Sequence, residues 1–171
     1  MQQKTIRKTV VFNKISLVCG VISTVLCLAV RIVSGSPFDM IHKLGNSEFI
    51  PPIWIFNLLC MTWSFISGYA GGMIINEVAC RRICGREEIC AYRGGLFFIS
   101  QLYLALTWYP LFFASESIFL SLLTALLAVI CSGICSASWS RASKISALIM
   151  AAYTIWLTYV LLINFSIFVH N

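Results

Sequence analysis

Five apolar runs, separated by short polar segments, dominate the pattern of residues along this chain. Each run is about long enough for a helix to cross a hydrocarbon core of roughly 30 Å. The third and fourth runs are separated only by residues 115–117, and together they are too long for one span. A tight hairpin is therefore expected between them. The predicted membrane spans are residues 15–34, 53–76, 94–114, 117–138 and 145–169.

The third apolar run differs from a simple membrane anchor. Residues 94–113 carry no charge, yet this segment contains an amide, a hydroxyl, two large aromatic side chains with polar groups and a proline. Such residues at membrane depth raise the free energy unless neighbouring helices or a cavity satisfy them. The segment is therefore the best sequence indication of a binding site within the bundle. The residues concerned are Gln101, Thr107, Trp108, Tyr109 and Pro110.

Composition supports a membrane protein and excludes a soluble one. The chain has 171 residues, 60% of them hydrophobic and 11% charged, whereas about a quarter of the residues in a soluble domain are charged. Such a chain cannot cover its surface with polar groups, so lipid is its solvent. We predict an all-α integral membrane protein, a single domain over residues 1–171 that forms a bundle of five transmembrane helices.

The net charge of +6 does not indicate a nucleic-acid partner, because the basic residues flank the apolar runs. If the N-terminus and the segments 77–93 and 139–144 lie on the same side of the membrane, ten Lys and Arg residues are on that side. The opposite side then has only Arg31 and Lys43. This asymmetry predicts the N-terminus inside and the C-terminus outside. The first run is long for a signal peptide and lacks a following cleavage pattern, so we expect it to be retained. A basic inner face favours a bacterial plasma membrane.

The cysteines do not predict a disulfide framework or a metal site. Most lie within apolar spans, where Cys behaves as a small hydrophobic residue. Cys80, Cys84 and Cys90 lie in the inner basic segment, but their spacing lacks a fourth ligand and a C-x2-C pair. No metal is therefore predicted, and the role of these three cysteines stays open.

Three segments carry aromatic, proline and polar residues in a distinctive order. The first contains Pro51, Pro52, Trp54, Phe56 and, further along the second span, Gly68. The second contains Gln101, Leu102, Trp108, Pro110, Phe112 and Phe113. The third contains Tyr153, Trp156, Tyr159, Ile163, Asn164 and the closing Asn171.

Together these segments resemble the TspO/MBR family of membrane proteins, also known as tryptophan-rich sensory proteins, translocator proteins or peripheral benzodiazepine receptors. The resemblance covers about residues 44–171. It implies a five-helix bundle whose pocket opens toward the loop between the first two helices. It also implies hydrophobic ligands, including porphyrins such as protoporphyrin IX or haem, and no obligatory cofactor.

Several positions depart from the family pattern. The Trp expected in the second helix aligns with Cys60, and the Tyr four residues later aligns with Ser64. The Asn of the third helix aligns with Ala105, and the proline before the last-helix Tyr aligns with Ala152. The end of the chain has no Lys or Arg after its terminal aromatic residue, which argues against the sterol binding seen in animal members.

A porphyrin is a flat, apolar ring with carboxylates at one edge, so its host needs aromatic walls and a few polar groups. Trp54 and Trp139 also fit an interfacial aromatic belt, and Gln101 and Asn164 also fit hydrogen bonds between helices. Lys43, in a presumed lid over residues 35–52, is a candidate partner for a carboxylate. The candidate ligand-binding residues are Trp54, Phe56, Gln101, Trp108, Phe112, Phe113, Tyr153, Trp156, Val160 and Asn164.

The predicted function is a membrane receptor or sensor that binds a tetrapyrrole or similar hydrophobic ligand within the bundle. One alternative is an enzyme that degrades porphyrin under light, in which Trp156 and Trp63 would be the electron-donating residues. A second is a small transporter, although no mid-span ionisable residue is present to couple transport to ions. A divergent relative without a tetrapyrrole role is a third. The lipid bilayer is the predicted partner of the protein, and a homodimer is left open.

Overall fold

The computed structural model describes residues 14–34, 52–80, 82–115 and 117–170. This part of the chain contains five helices that are long and apolar enough to cross a membrane, and no strand. The predicted fold class, an all-α membrane bundle of five helices, is therefore confirmed. The helices are α1 (Lys14–Val33), α2 (Ile53–Ala79), α3 (Arg86–Tyr109), α4 (Ile118–Trp139) and α5 (Lys144–His170), with a π-helical segment at Pro110–Ala114 after α3.

The helix boundaries differ from the predicted spans chiefly at α3. This helix begins at Arg86 rather than near residue 94, because its polar first turns continue the helix beyond the apolar run. Glu87 and Glu88 lie in the first turn, where carboxylates interact favourably with the helix dipole. Hydropathy predicts only the part of the helix that lies within the hydrocarbon core, and the helix itself extends beyond that part.

A π-helical turn ends the third span. Pro110 has no backbone N–H to donate to the preceding turn, and the chain widens there into the segment Pro110–Ala114. The wider turn is visible in the hydrogen bond from Ser115 N to Pro110 O, five residues back, at 2.9 Å. The predicted hairpin follows directly, since α4 begins at Ile118.

The helices alternate in direction, so the bundle has two ends. The distal end comprises the C-terminus of α1, the N-terminus of α2 and the turn between α3 and α4. The proximal end comprises the turns between α2 and α3 and between α4 and α5. Among the described residues, Arg31 is the basic residue of the distal end, whereas the proximal end carries Lys14, Arg82, Arg86, Arg93, Arg141 and Lys144. This charge difference is the basis of the predicted orientation, which stays a prediction.

Helices α1 and α2 form a closely packed pair. A Cβ atom added at Gly68 would lie 2.7 Å from the backbone oxygen of Cys19 and would also meet the Ser23 side chain. At Gly72 it would lie 2.5 Å from the Cα atom of Ser16. The small-xxx-small face predicted in the second helix therefore serves the contact with α1, where only glycine permits this backbone approach.

Helices α3, α4 and α5 form a second unit, with α4 packed between the other two. Hydrogen bonds join them: the Trp139 indole N–H donates to Ala91 O (3.2 Å), Ser136 Oγ donates to Ala147 O (2.8 Å), and Ser132 Oγ lies 2.8 Å from Thr154 Oγ1. Trp139 is thus a buried packing residue and not part of an interfacial belt. The buried face of α4 is mostly small, which lets the helices approach closely: Ser121, Ala125, Ala128, Ser132, Cys135 and Trp139.

The α1–α2 pair meets the α3–α4–α5 unit chiefly through α2 and α5, in a contact less extensive than those within either unit. Aromatic rings dominate this junction. Trp63 and Trp156 lie nearly parallel with centroids 6.5 Å apart, and Phe56 lies 5.8 Å from Trp156. The junction is therefore the place where the bundle can most readily enclose a ligand.

Candidate ligand-binding site

A cavity of about 60 Å³ lies at this junction and is lined by residues of all five helices. Its wall is mainly apolar, with hydroxyl and thiol groups at intervals. The lining residues are Cys27 from α1; Cys60 and Ser64 from α2; Leu102, Ala105, Leu106, Trp108 and Tyr109 from α3; Ala125 and Ala128 from α4; and Tyr153, Trp156, Leu157 and Val160 from α5.

Large aromatic side chains form one part of the cavity wall. Tyr153 and Trp156 are one turn apart on α5, and Val160 continues the same face. Trp108 enters from α3 and stacks on Phe112, with centroids 5.1 Å apart and an interplanar angle of 17°. Flat, weakly polar surfaces of this kind suit a planar hydrophobic ligand.

Trp108 is held in place by a buried hydrogen-bond network. Its indole N–H donates to Asn164 Oδ1 at 3.3 Å, and Ser121 Oγ donates to the same oxygen at 3.3 Å. The Asn164 amide group donates to Val160 O at 2.8 Å. Asn164 thus links α3, α4 and α5, and it does not line the cavity. Of the two roles that the sequence allows for Asn164, the structure displays the hydrogen bonds between helices.

Thiol and hydroxyl groups also line the cavity. Cys60 from α2 and Tyr109 from α3 contribute a thiol and a phenol to this lining. Cys27 from α1 and Ser64 from α2 add a second thiol and a hydroxyl. From the sequence, Cys27 was expected to be a small apolar residue and Cys60 a departure from the family motif. The structure shows that both line the same cavity.

Gln101 lies beside the cavity but not in its wall. The side chain is fully buried, and neither amide atom, Oε1 or Nε2, has a hydrogen-bond partner among the described residues. Ala105, one turn further along α3, lines the cavity and offers no polar group to the amide. A buried unpaired amide raises the free energy by roughly 1–3 kcal/mol, so Gln101 is a place where water or a ligand group would be stabilised.

The structure distributes the predicted site residues over three environments. Trp108, Tyr153, Trp156 and Val160 line the cavity. The second group, which packs behind this wall or is buried beside it, comprises Phe56, Phe112, Phe113, Gln101 and Asn164. Trp54 is 69% exposed and does not line the cavity, as expected for an interfacial aromatic residue. Lys43 and the presumed lid lie outside the described residues.

Ten of the fourteen residues that line the cavity were not among the predicted site residues. Apart from Tyr109, the missed residues are small or aliphatic, and their chemistry alone does not distinguish them from packing residues. The available signal was position: Ala105 and Tyr109 lie one turn apart on the face of α3 that also carries Gln101 and Trp108. Which face of α3 lines the cavity depends on how the helix is rotated against its neighbours, and this rotation is known only from the packed structure.

The fold and the cavity define an integral, multi-pass helical membrane protein with a cavity lined by all five spans. In a comparison with models of protein families, the model described as the TspO/MBR family matches residues 17–170. Because this match spans nearly the whole chain, the protein belongs to the TspO/MBR family. A search of curated proteins gave no match.

Proposed function

We propose that this membrane sensor binds a tetrapyrrole, or a ligand of similar flat and hydrophobic shape, at the junction between the α1–α2 pair and the α3–α4–α5 unit. The observation that supports this proposal is the aromatic wall of Trp108, Tyr153 and Trp156 in a cavity that all five helices line. Membership of the TspO/MBR family supports the same ligand class.

Binding requires the cavity to enlarge. Its volume of about 60 Å³ suffices for a few water molecules, whereas pockets for drug-sized ligands measure roughly 300–1,000 Å³. The least extensive packing is between the two units, and their junction carries the aromatic wall. We therefore expect the α1–α2 pair to separate from the other three helices as the ligand enters, with the hydrogen bonds within the α3–α4–α5 unit retained.

The direct test is a titration of the purified protein with protoporphyrin IX in detergent, followed by quenching of Trp fluorescence in the dark. Wild type should show saturable quenching, and Trp156→Phe should bind more weakly because an aromatic wall residue is shortened. Trp54→Phe is the matched control, since that indole is exposed and away from the cavity. Absence of saturable quenching in wild type, or equal weakening in both variants, would contradict the proposal.

One observation favours a second candidate function, light-dependent porphyrin degradation. Trp156 lines the cavity, and its ring lies almost parallel to that of Trp63 at 6.5 Å. An indole pair beside a light-absorbing ligand could donate an electron, and Trp63 could thereby replace the Trp that the family pattern places at Cys60. Illumination of the same titrated samples distinguishes the two functions. Loss of porphyrin absorbance in wild type but not in Trp63→Phe would favour the enzyme, and stable absorbance would favour the receptor.

A further inference from the structure

Arg31 lies on the inward-facing side of α1. The buried residues of this helix recur every three or four positions, at Ser16, Gly20, Ser23 and Cys27. Arg31 follows Cys27 by four positions and precedes the buried Ser34 by three, so it continues the same stripe. Its side chain is half-buried, whereas the adjacent Ile32 and Val33 are exposed. The helix therefore directs this cation toward the bundle and not toward lipid.

The charge of Arg31 lies near the cavity. Arg31 follows Cys27, which lines the cavity from α1, by one helical turn. Since Arg31 lies in the last turn of α1, it is one turn nearer the distal end of the bundle than the cavity-lining Cys27. A ligand that enters from the distal end would pass this group.

Arg31 has no carboxylate partner among the described residues. The ion pair found in this part of the chain is between Arg82 and Glu77, 3.7 Å apart at the proximal end. The remaining described carboxylates, Glu87 and Glu88, begin α3 at the same proximal end. A half-buried guanidinium near low-dielectric surroundings attracts an anion strongly and can bind a carboxylate with two parallel hydrogen bonds.

We propose that Arg31 binds an ionised carboxylate of the ligand whose hydrophobic part occupies the cavity. The preferred ligands are then flat hydrophobic molecules with a carboxylate at one edge, as in a porphyrin that carries free propionates. This inference rests on the proposed function, because it assigns the orientation and the charge preference of the same site. It places the carboxylate edge at the distal rim and the ring against Trp108 and Trp156.

The test compares two ligands that differ only in charge, protoporphyrin IX and its dimethyl ester, by the same fluorescence titration. The affinity of wild type for the free acid should be at least about tenfold higher than its affinity for the ester, since a charge-assisted hydrogen bond contributes at least that factor. Arg31→Gln should remove most of this preference by weakening the acid and leaving the ester unchanged. Arg31→Lys should restore part of it, because the charge returns without the planar pair of donors.

Arg141→Gln is the matched control, because it makes the same change of charge at an exposed position of the proximal end. It should leave both affinities unchanged. If Arg31→Gln weakens acid and ester equally, or changes neither, Arg31 is a structural or interfacial residue and the inference is overturned while the proposed function stands. If wild type binds neither ligand, the proposed function fails and this inference fails with it.

Discussion

Asn164 illustrates how a polar residue in an apolar span acquires its role from its neighbours. The sequence predicts that such a residue needs a partner, and it allows either a ligand or another helix to supply one. The structure shows the partners as Trp108 and Ser121, both of which donate to the same amide oxygen. Asn164 therefore holds Trp108 of the aromatic wall in position without lining the cavity itself.

We expect Asn164→Leu to lower the free energy of unfolding by about 1–3 kcal/mol, because the buried Trp108 indole N–H loses its acceptor, whereas Ser121 Oγ keeps Ile118 O at 2.8 Å. The measurement is a titration with denaturing detergent in mixed micelles. Combined with Trp108→Phe in a double-mutant cycle, it should give a coupling energy of about 0.6 kcal/mol, with roughly 1.7 kcal/mol as the upper limit for such bonds. Strictly additive effects would show that the Trp108–Asn164 hydrogen bond does not stabilise the fold.

The tryptophans show where prediction from sequence ends at this scale. Three residues of the same type, tryptophan, have three different roles. Trp54 is exposed, Trp108 lines the cavity, and Trp139 donates a hydrogen bond to Ala91 O. Each role depends on which way the helix is rotated against its neighbours. A single sequence fixes the spacing of these residues along a helix but not that rotation.

At the scale of single elements, α1 and α2 depend on glycine for their close contact. A methyl group at Gly68 would meet Ser23 and the backbone of Cys19, whereas one at Gly133 in α4 would meet nothing within 4 Å. The same substitution at these two positions therefore separates loss of packing from the general effect of replacing glycine in a helix.

We expect Gly68→Ala to destabilise the protein by about 1–3 kcal/mol, the usual effect of overpacking. Gly133→Ala should be neutral or slightly stabilising, since Ala is the better helix former. Thermal unfolding of both variants in the same detergent gives the comparison. Equal stability of the two variants would mean that α1 and α2 do not pack as the structure shows.

Element boundaries were predictable where one physical property decides them. Hydropathy and the short hairpin sequence located all five spans, and the polar break between the third and fourth spans lies where the structure has it. The π-helical turn at Pro110–Ala114 was not predictable in detail. A proline predicts an irregularity in the helix, but whether the helix kinks, ends or widens depends on the helices packed around it.

At the scale of the whole molecule, the structure divides the five helices into two units that the sequence does not distinguish. All five spans are apolar enough to cross a membrane, and their hydropathy does not indicate which helices pair. The pairing of α1 with α2 and the hydrogen bonding among α3, α4 and α5 emerge only from the packing. The division explains why the cavity contains residues of every helix. It also explains how a small cavity could enlarge without disrupting either unit.

The measurement that tests this account most directly is site-resolved labelling of the cysteines with N-ethylmaleimide, with and without protoporphyrin IX. Cys60 and Cys27 line the cavity, whereas Cys131 on α4 is half-buried and lies outside it. Reaction of a thiol requires access to its sulfur. The account predicts that saturating ligand slows labelling of Cys60 and Cys27 and leaves Cys131 unchanged. Unchanged labelling of Cys60 at a ligand concentration that saturates Trp quenching would place the ligand elsewhere and contradict the account.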